Sequence, residues 1–196
     1  MIKKSLNRNF DRAVNAIVNC QSKIIFCGVG KSGLIASKIA STLSSVGAPS
    51  FSISANDCSH GYLGIITRKD ILILISNSGN SDELKDIIQY ANRYKIKLIC
   101  IVSKKNSILY KSSDIKLLIP ESKEAGFGIV PTTSTSVQLS IGDALAIAVM
   151  NHRKFNHLDF KKFHPGGSLS VKLKTVRDLM ITGNKIPFFM TLSEFG

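Results

Sequence analysis

The spacing of apolar residues changes several times along the chain. From Leu6 to Cys20 they recur at helical intervals, and Lys23–Cys27 is then a short apolar run of strand type. Helical spacing returns over Ser32–Val46, with Leu34, Ile35, Ile39 and Leu43. Further strands are predicted over Ser50–Ser54, Asp70–Ser76, Lys97–Val102 and Asp114–Ile119. The segment DILILIS (70–76) is apolar without alternation, the pattern of a strand covered on both faces in a parallel sheet. Helices are predicted over Ser81–Tyr94, opened by Ser-Asp-Glu, over Asn106–Lys111, and over Thr133–His152. Strands alternating with helices in this way give an α/β protein, a three-layer α/β/α sandwich on a parallel sheet. Ligands of such sheets sit beyond the carboxyl ends of the strands.

Glycine- and hydroxyl-rich segments fall at those ends. FCGVGKSG (26–33) runs from a strand into a turn and a helix. A triphosphate-binding loop needs a glycine five positions before its Gly-Lys-Ser, and here that position is Ile25, inside the strand. The dinucleotide pattern is matched by Gly28, Gly30 and Gly33, but the acidic residue expected at the end of the second strand arrives late, as Asp57. Lys31 sets a point charge in the turn, aimed at an anion. A second loop, Ser76-Asn77-Ser78-Gly79-Asn80-Ser81, gathers hydroxyls and backbone N–H groups before a helix, a cradle for one phosphate. A third stretch, Thr132-Thr133-Ser134-Thr135-Ser136, opens the long helix in the same manner. Each loop alone is equally an ordinary capped turn. Three together favour a small phosphorylated ligand over a long dinucleotide.

Composition narrows the classes. The 196 residues, 44% hydrophobic and 20% charged, suit one globular domain. No apolar run approaches the roughly 20 residues that span a bilayer, and the polar, basic start does not read as a signal peptide. Cys20, Cys27, Cys58 and Cys100 are scattered without a Cys-x-x-Cys pair, which suits free thiols and a cytoplasmic location. The net charge of +13 is spread out, with only small clusters such as Lys3-Lys4, Lys104-Lys105 and Lys161-Lys162. It suits an anionic metabolite better than nucleic acid.

These motifs resemble the sugar isomerase (SIS) domain family, and within it the arabinose 5-phosphate isomerase group. The resemblance rests on CGVGKSG (27–33), SHGYLG (59–64), ISNSGNSDE (75–83), KEAGFGIVPTTSTS (123–136), GDALAIA (142–148) and FHPGGSL (163–169). It implies a five-stranded parallel sheet, a homotetramer with active sites at subunit boundaries, and a role in making the lipopolysaccharide sugar Kdo. It also divides the chain into an SIS domain over 1–174 and a tail over 175–196 that resembles the beginning of a truncated CBS domain. The chain departs from the group's pattern at Tyr62, where Asp is usual, at Asn80, where Glu is common, and at the shortened Gly126-Phe127-Gly128. Other ketose phosphate isomerases and non-catalytic phosphosugar sensors use the same fold. The His-Pro-Gly-Gly segment, Glu124 and His164 argue against those two.

Aldose–ketose interconversion moves a proton between adjacent carbons through an enediol. It requires a base, an acid and charge to hold the enediolate. Candidate catalytic groups at loop positions are Lys31, Glu83, Glu124 and His164. Glu83 could also complement a helix dipole, whereas Glu124 has no evident capping role in the sequence. Expected substrate contacts are Gly30, Ser32, His60, Ser76, Asn77, Ser78, Ser81, Thr132, Thr133 and Ser134. No cofactor is expected. His60 and His164 could converge and trap an inhibitory divalent ion, none being required, and His164 could reach in from a neighbouring subunit.

Overall fold

A computed structural model describes residues 2–164 and 174–186. Five strands, β1 (Ile24–Gly28), β2 (Ser50–Ser54), β3 (Ile71–Ile75), β4 (Lys97–Val102) and β5 (Ile115–Leu118), form one sheet in the order β2-β1-β3-β4-β5. Every pairing is parallel. Alternation along the strands splits the core in two. Ile24 and Phe26 of β1, with Ile71, Ile73 and Ile75 of β3, face the helices α1 (Arg8–Val18), α2 (Gly30–Ser45) and α6 (Thr133–His152). Ile25, Cys27, Leu72 and Leu74 face α3 (Ala55–Cys58), α4 (Lys85–Arg93) and α5 (Ile108–Ser112). This is the expected α/β/α sandwich, and all five strands fall where the apolar pattern puts them.

The differences lie at helix ends and have local causes. Helix α1 starts at Arg8 because the Asn7 side chain accepts the Asn9 N–H at 2.9 Å. The segment predicted as one helix from Ser81 opens as a 3₁₀ turn, Asp82–Leu84, before α4. Helix α5 starts late because Ser107 caps it, accepting from the Tyr110 N–H at 3.2 Å. Helix α6 has the predicted bounds. A helix the pattern does not announce, α7 (His157–Phe163), is held by a reciprocal box between Asn156 and Asp159. In the tail, α8 (Val176–Leu179) and a 3₁₀ turn (Gly183–Lys185) lie within 175–196, while 187–196 and the Pro165–Leu169 part of FHPGGSL lie outside the described residues. Among the described residues no helix is long and apolar enough to cross a membrane.

The strand order creates one topological switch point. From β1 the chain crosses through α2 to β2 on one side, and β3 pairs β1 on the other. The helices leaving β1 and β3 lie on opposite faces, so a crevice opens between the carboxyl ends of these two strands.

Candidate active site

Gly28, the last residue of β1, pairs with Ile75, the last of β3, so the two loops that follow rise side by side. The first is the Gly-Val-Gly-Lys-Ser-Gly turn. A Cβ on Gly28 would lie 2.8 Å from the Ser32 carbonyl carbon, and one on Gly33 would lie 2.8 Å from the Gly28 carbonyl oxygen. The glycines therefore let helix α2 start directly against the strand end, which explains the dinucleotide-like spacing without a dinucleotide. The Val29 side chain gives the helix no cap. The first-turn N–H groups of α2 and the exposed Lys31 consequently face the crevice end of the molecule with positive character.

The second loop, Ser76–Ser81, is built rigidly. The Ser76 hydroxyl is buried and accepts the Gly79 N–H at 3.0 Å, and it lies 3.4 Å from the Ser81 hydroxyl. The Asn77 carbonyl accepts the Ser103 hydroxyl at 2.7 Å. At Gly79, with φ +68°, a Cβ would collide with Ser107 and Val102, and the Gly79 carbonyl accepts the Leu109 N–H at 3.0 Å. The Asn80 side chain accepts the Ile108 N–H at 2.9 Å. Thus Ser76, Asn77 and Asn80 hold the loop to β4 and α5, while Ser78 is left exposed and Ser81 half-exposed at its mouth. The departure at Asn80 has a structural role, capping α5.

Glu124 differs from its expectation. Its Oε2 accepts the Thr132 N–H at 2.8 Å, the Thr132 hydroxyl at 3.3 Å and the Ser134 N–H at 3.2 Å. It therefore caps α6, a role hidden in the sequence because Gly126–Gly128 fold back through a left-handed turn with φ from +56° to +81°. Hydrogen bonds from the Ser134 side chain and the Thr132 N–H hold its carboxyl down to about 2, outweighing desolvation. The same contacts occupy Thr132 and Ser134, so the start of α6 already holds an anion, and Thr133 between them is left open. The left-handed turn projects Phe127 fully into solvent.

Glu83 and His60 are exposed in the short segments beside the crevice, Glu83 in the 3₁₀ turn after the serine loop and His60 two residues past α3. Beneath them the Cys27 thiol of β1 meets the Cys58 thiol of α3, and that contact and burial push Cys27 up while Cys58 is drawn down. Gln138 of α6 is fully buried and accepts the Ser32 hydroxyl at 3.2 Å, a residue that sequence reasoning did not single out. A cavity of about 500 Å³ lined by Leu63, Asp86, Gln89, Tyr90, Arg93 and Tyr94 lies along α4 and carries none of the candidates.

His164 lies apart from the other candidates. It closes α7, stacked on Phe160 with ring centroids 3.8 Å apart and its Nδ1 2.9 Å from the Phe160 carbonyl. Phe163 and Phe155 pack over Gly47, just past the end of α2. Lys31 stands at the beginning of α2, whose 16 residues span about 24 Å. Within one chain His164 therefore lies at the opposite end of the sheet from Lys31 and His60. The two histidines do not converge on an ion there, and no cluster of three or more His, Cys, Asp or Glu able to hold a metal exists among the described residues.

The sheet order, the glycine turn and the serine loop define a class of α/β domain with two loops side by side at the β1/β3 switch point. Residues 17–148 match the SIS domain model, and the chain belongs to this family. It is 46% identical over 184 residues to arabinose 5-phosphate isomerase KdsD of Yersinia pestis, covering 93% of this chain and 56% of that protein. It is 41% identical over 194 residues to the uncharacterized protein RP505 of Rickettsia prowazekii, covering 99% of this chain and 61% of that protein. The chain thus spans about three-fifths of these relatives' length. Among solved structures, E. coli CFT073 c3406 in complex with arabinose 5-phosphate superposes with a TM-score of 0.72 at 35% identity, covering 83% of this chain and 95% of that one.

Proposed function

We propose that this chain is an aldose–ketose isomerase that interconverts D-ribulose 5-phosphate and D-arabinose 5-phosphate. The observation that carries the reading is the pairing of two loops across the β1/β3 switch point, an uncapped lysine-bearing helix start beside a prebuilt serine cradle. Likeness to KdsD and to a structure holding arabinose 5-phosphate supports the choice of substrate.

The phosphate sits on Ser78, Ser81 and the loop's backbone N–H groups, with Thr133 at its far side. It anchors the sugar with its first two carbons toward Lys31. A base removes a C1 proton from ribulose 5-phosphate, the electron pair forms the C1–C2 double bond, and the C2 carbonyl oxygen becomes an oxyanion. Transfer of the O1 proton to the C2 oxyanion and return of a proton to C2, with O1 closing to a carbonyl, give the aldehyde. The Lys31 ammonium stabilises the oxyanion as it forms, an interaction strongest in the transition state. Glu124, anchored through Oε2, offers Oε1 as the base. Glu83 and a His164 supplied by a neighbouring copy handle the remaining proton transfers. Gly30, Ser32 and His60 complete the sugar contacts. The reading places the enzyme in the cytoplasm as a homotetramer, on the route to Kdo and lipopolysaccharide.

NMR of purified protein with ribulose 5-phosphate tests this, with arabinose 5-phosphate as the expected product. Lys31→Ala should lower kcat by about 10²–10⁴ with a smaller change in KM, while Ser78→Ala should chiefly raise KM. Tight sugar phosphate binding without conversion would favour a non-catalytic sensor. A raised KM with unchanged kcat in Lys31→Ala would make the lysine a phosphate clamp.

A further inference from the structure

The interior of the α2–α6 contact holds one polar anomaly. Among the described residues, Nε2 of Gln138 is the one buried side-chain nitrogen or oxygen without a hydrogen-bond partner. The residue is 0% exposed and projects from α6 against the first turn of α2, where its Oε1 accepts the Ser32 hydroxyl at 3.2 Å. A buried amide lacking one partner is destabilising, and native interiors leave few such groups. Turning the amide over does not remove the anomaly. Nε2 would then donate to Ser32 Oγ, and Oε1 would be the orphan.

The two orientations differ in what they do to Ser32. With Oε1 toward the serine, its single hydroxyl hydrogen is tied into the protein. With Nε2 toward it, the oxygen accepts and the hydrogen is released to point outward. Ser32 is half-exposed beside Lys31, in the turn that faces the crevice. Gln138 itself cannot reach a ligand, being wholly enclosed. A leucine would fill the space without the orphan, and a glutamate could only accept. A glutamine alone serves both states.

We propose that Gln138 is a positioning residue that switches the Ser32 hydroxyl from an internal bond to a ligand oxygen when an anionic sugar phosphate enters the crevice. The inference rests on the sugar phosphate reading of the site. It makes the orphaned amide a cost in folding stability that is retained for ligand binding.

A double-mutant cycle tests it, with arabinose 5-phosphate binding measured by calorimetry and unfolding by thermal scans on wild type, Gln138→Leu, Ser32→Ala and the double variant. Gln138→Leu should bind roughly 3- to 10-fold more weakly, the worth of one hydrogen bond. Its Tm should hold or rise by about 2–4 °C, because the orphan is gone. In the Ser32→Ala background the Leu substitution should cause no further loss of affinity. Additive losses, or a lowered Tm with affinity unchanged, would overturn the positioning role and leave the site's reading intact. Wild-type protein that bound no pentose phosphate would overturn that reading and the inference with it.

Discussion

Glu124 shows how one side chain can be pulled two ways. Three donors converge on its Oε2, and its carboxyl is held at about 2. A carboxylate with so little proton affinity is well placed as a base but poorly driven. In the proposed complex a phosphate of about −1.5 to −2 charge nearby and exclusion of water would both favour the neutral acid. On the proposed mechanism the carboxyl should therefore rise in the complex relative to the free protein. The acid limb of kcat, which reports the complex, should lie at higher pH than that of kcat/KM, which reports the free protein. A full pH–rate profile checks this, and coincident limbs would remove Glu124 as the base. The cap has its own pH signature. Because the folded carboxyl is held below its ordinary 4.5, its contribution to stability is complete above that value and disappears as pH falls toward about 2. Glu124→Gln should accordingly lower Tm at neutral pH, and the gap to wild type should close on acidification.

At the scale of elements, the interlock of the serine loop with α5 matters most. Ser107 and Asn80 both cap α5, the first from its own N-cap position and the second from the loop 28 residues earlier. Asn80→Ala removes one cap and should cost about 0.5–2 kcal/mol, a Tm loss of roughly 2–8 °C. It should also raise KM, because the loop presenting Ser78 loses its tie to α5. A lowered Tm with KM unchanged would show that the cradle keeps its shape without this bond. The elements that the sequence discloses are those with a long or unbroken apolar signal. DILILIS announces β3, and the spacing across Thr133–His152 announces α6. Short polar segments such as Ala55–Cys58 and His157–Phe163 have too few turns to show a period, and α7 rests on its Asn156–Asp159 box. Of the candidate site, the placing of Lys31 and the serine loop at strand ends is legible because glycine and hydroxyl residues there carry a local signal. The Glu124 cap and the Gln138–Ser32 bond are not. Each joins residues through a left-handed turn or across two helices, and no local spacing encodes either.

The whole molecule leaves its parts unevenly distributed. Lys31, the serine loop and Glu124 belong to the carboxyl edge of the sheet. His164 belongs to the other edge, fixed by its stack on Phe160 and by Phe163 against Gly47, about 24 Å of helix away. No rotamer change closes such a gap. If His164 takes part in the chemistry, it must enter from a second copy of the chain. Exposed apolar side chains, including Leu34 beside the lysine turn, Tyr62, Phe127 and Ile147, are then expected to lie at contacts between copies. The consequence is a complementation test. Lys31→Ala and His164→Ala homo-oligomers should each be nearly inactive, since every site in them lacks one group. When the two variants are unfolded together and refolded as a mixture, some sites receive the lysine from one chain and the histidine from the other. Random assembly restores both groups at about a quarter of the sites, so activity should return to roughly that fraction of wild type. Sites contained within single chains would give a mixture as inactive as its parents. That result, with oligomers of mixed composition demonstrated by native mass spectrometry, would rule out a His164 donated across subunits, and a fully active His164→Ala parent would exclude His164 from the reaction and leave Glu83 and Glu124 to carry the proton.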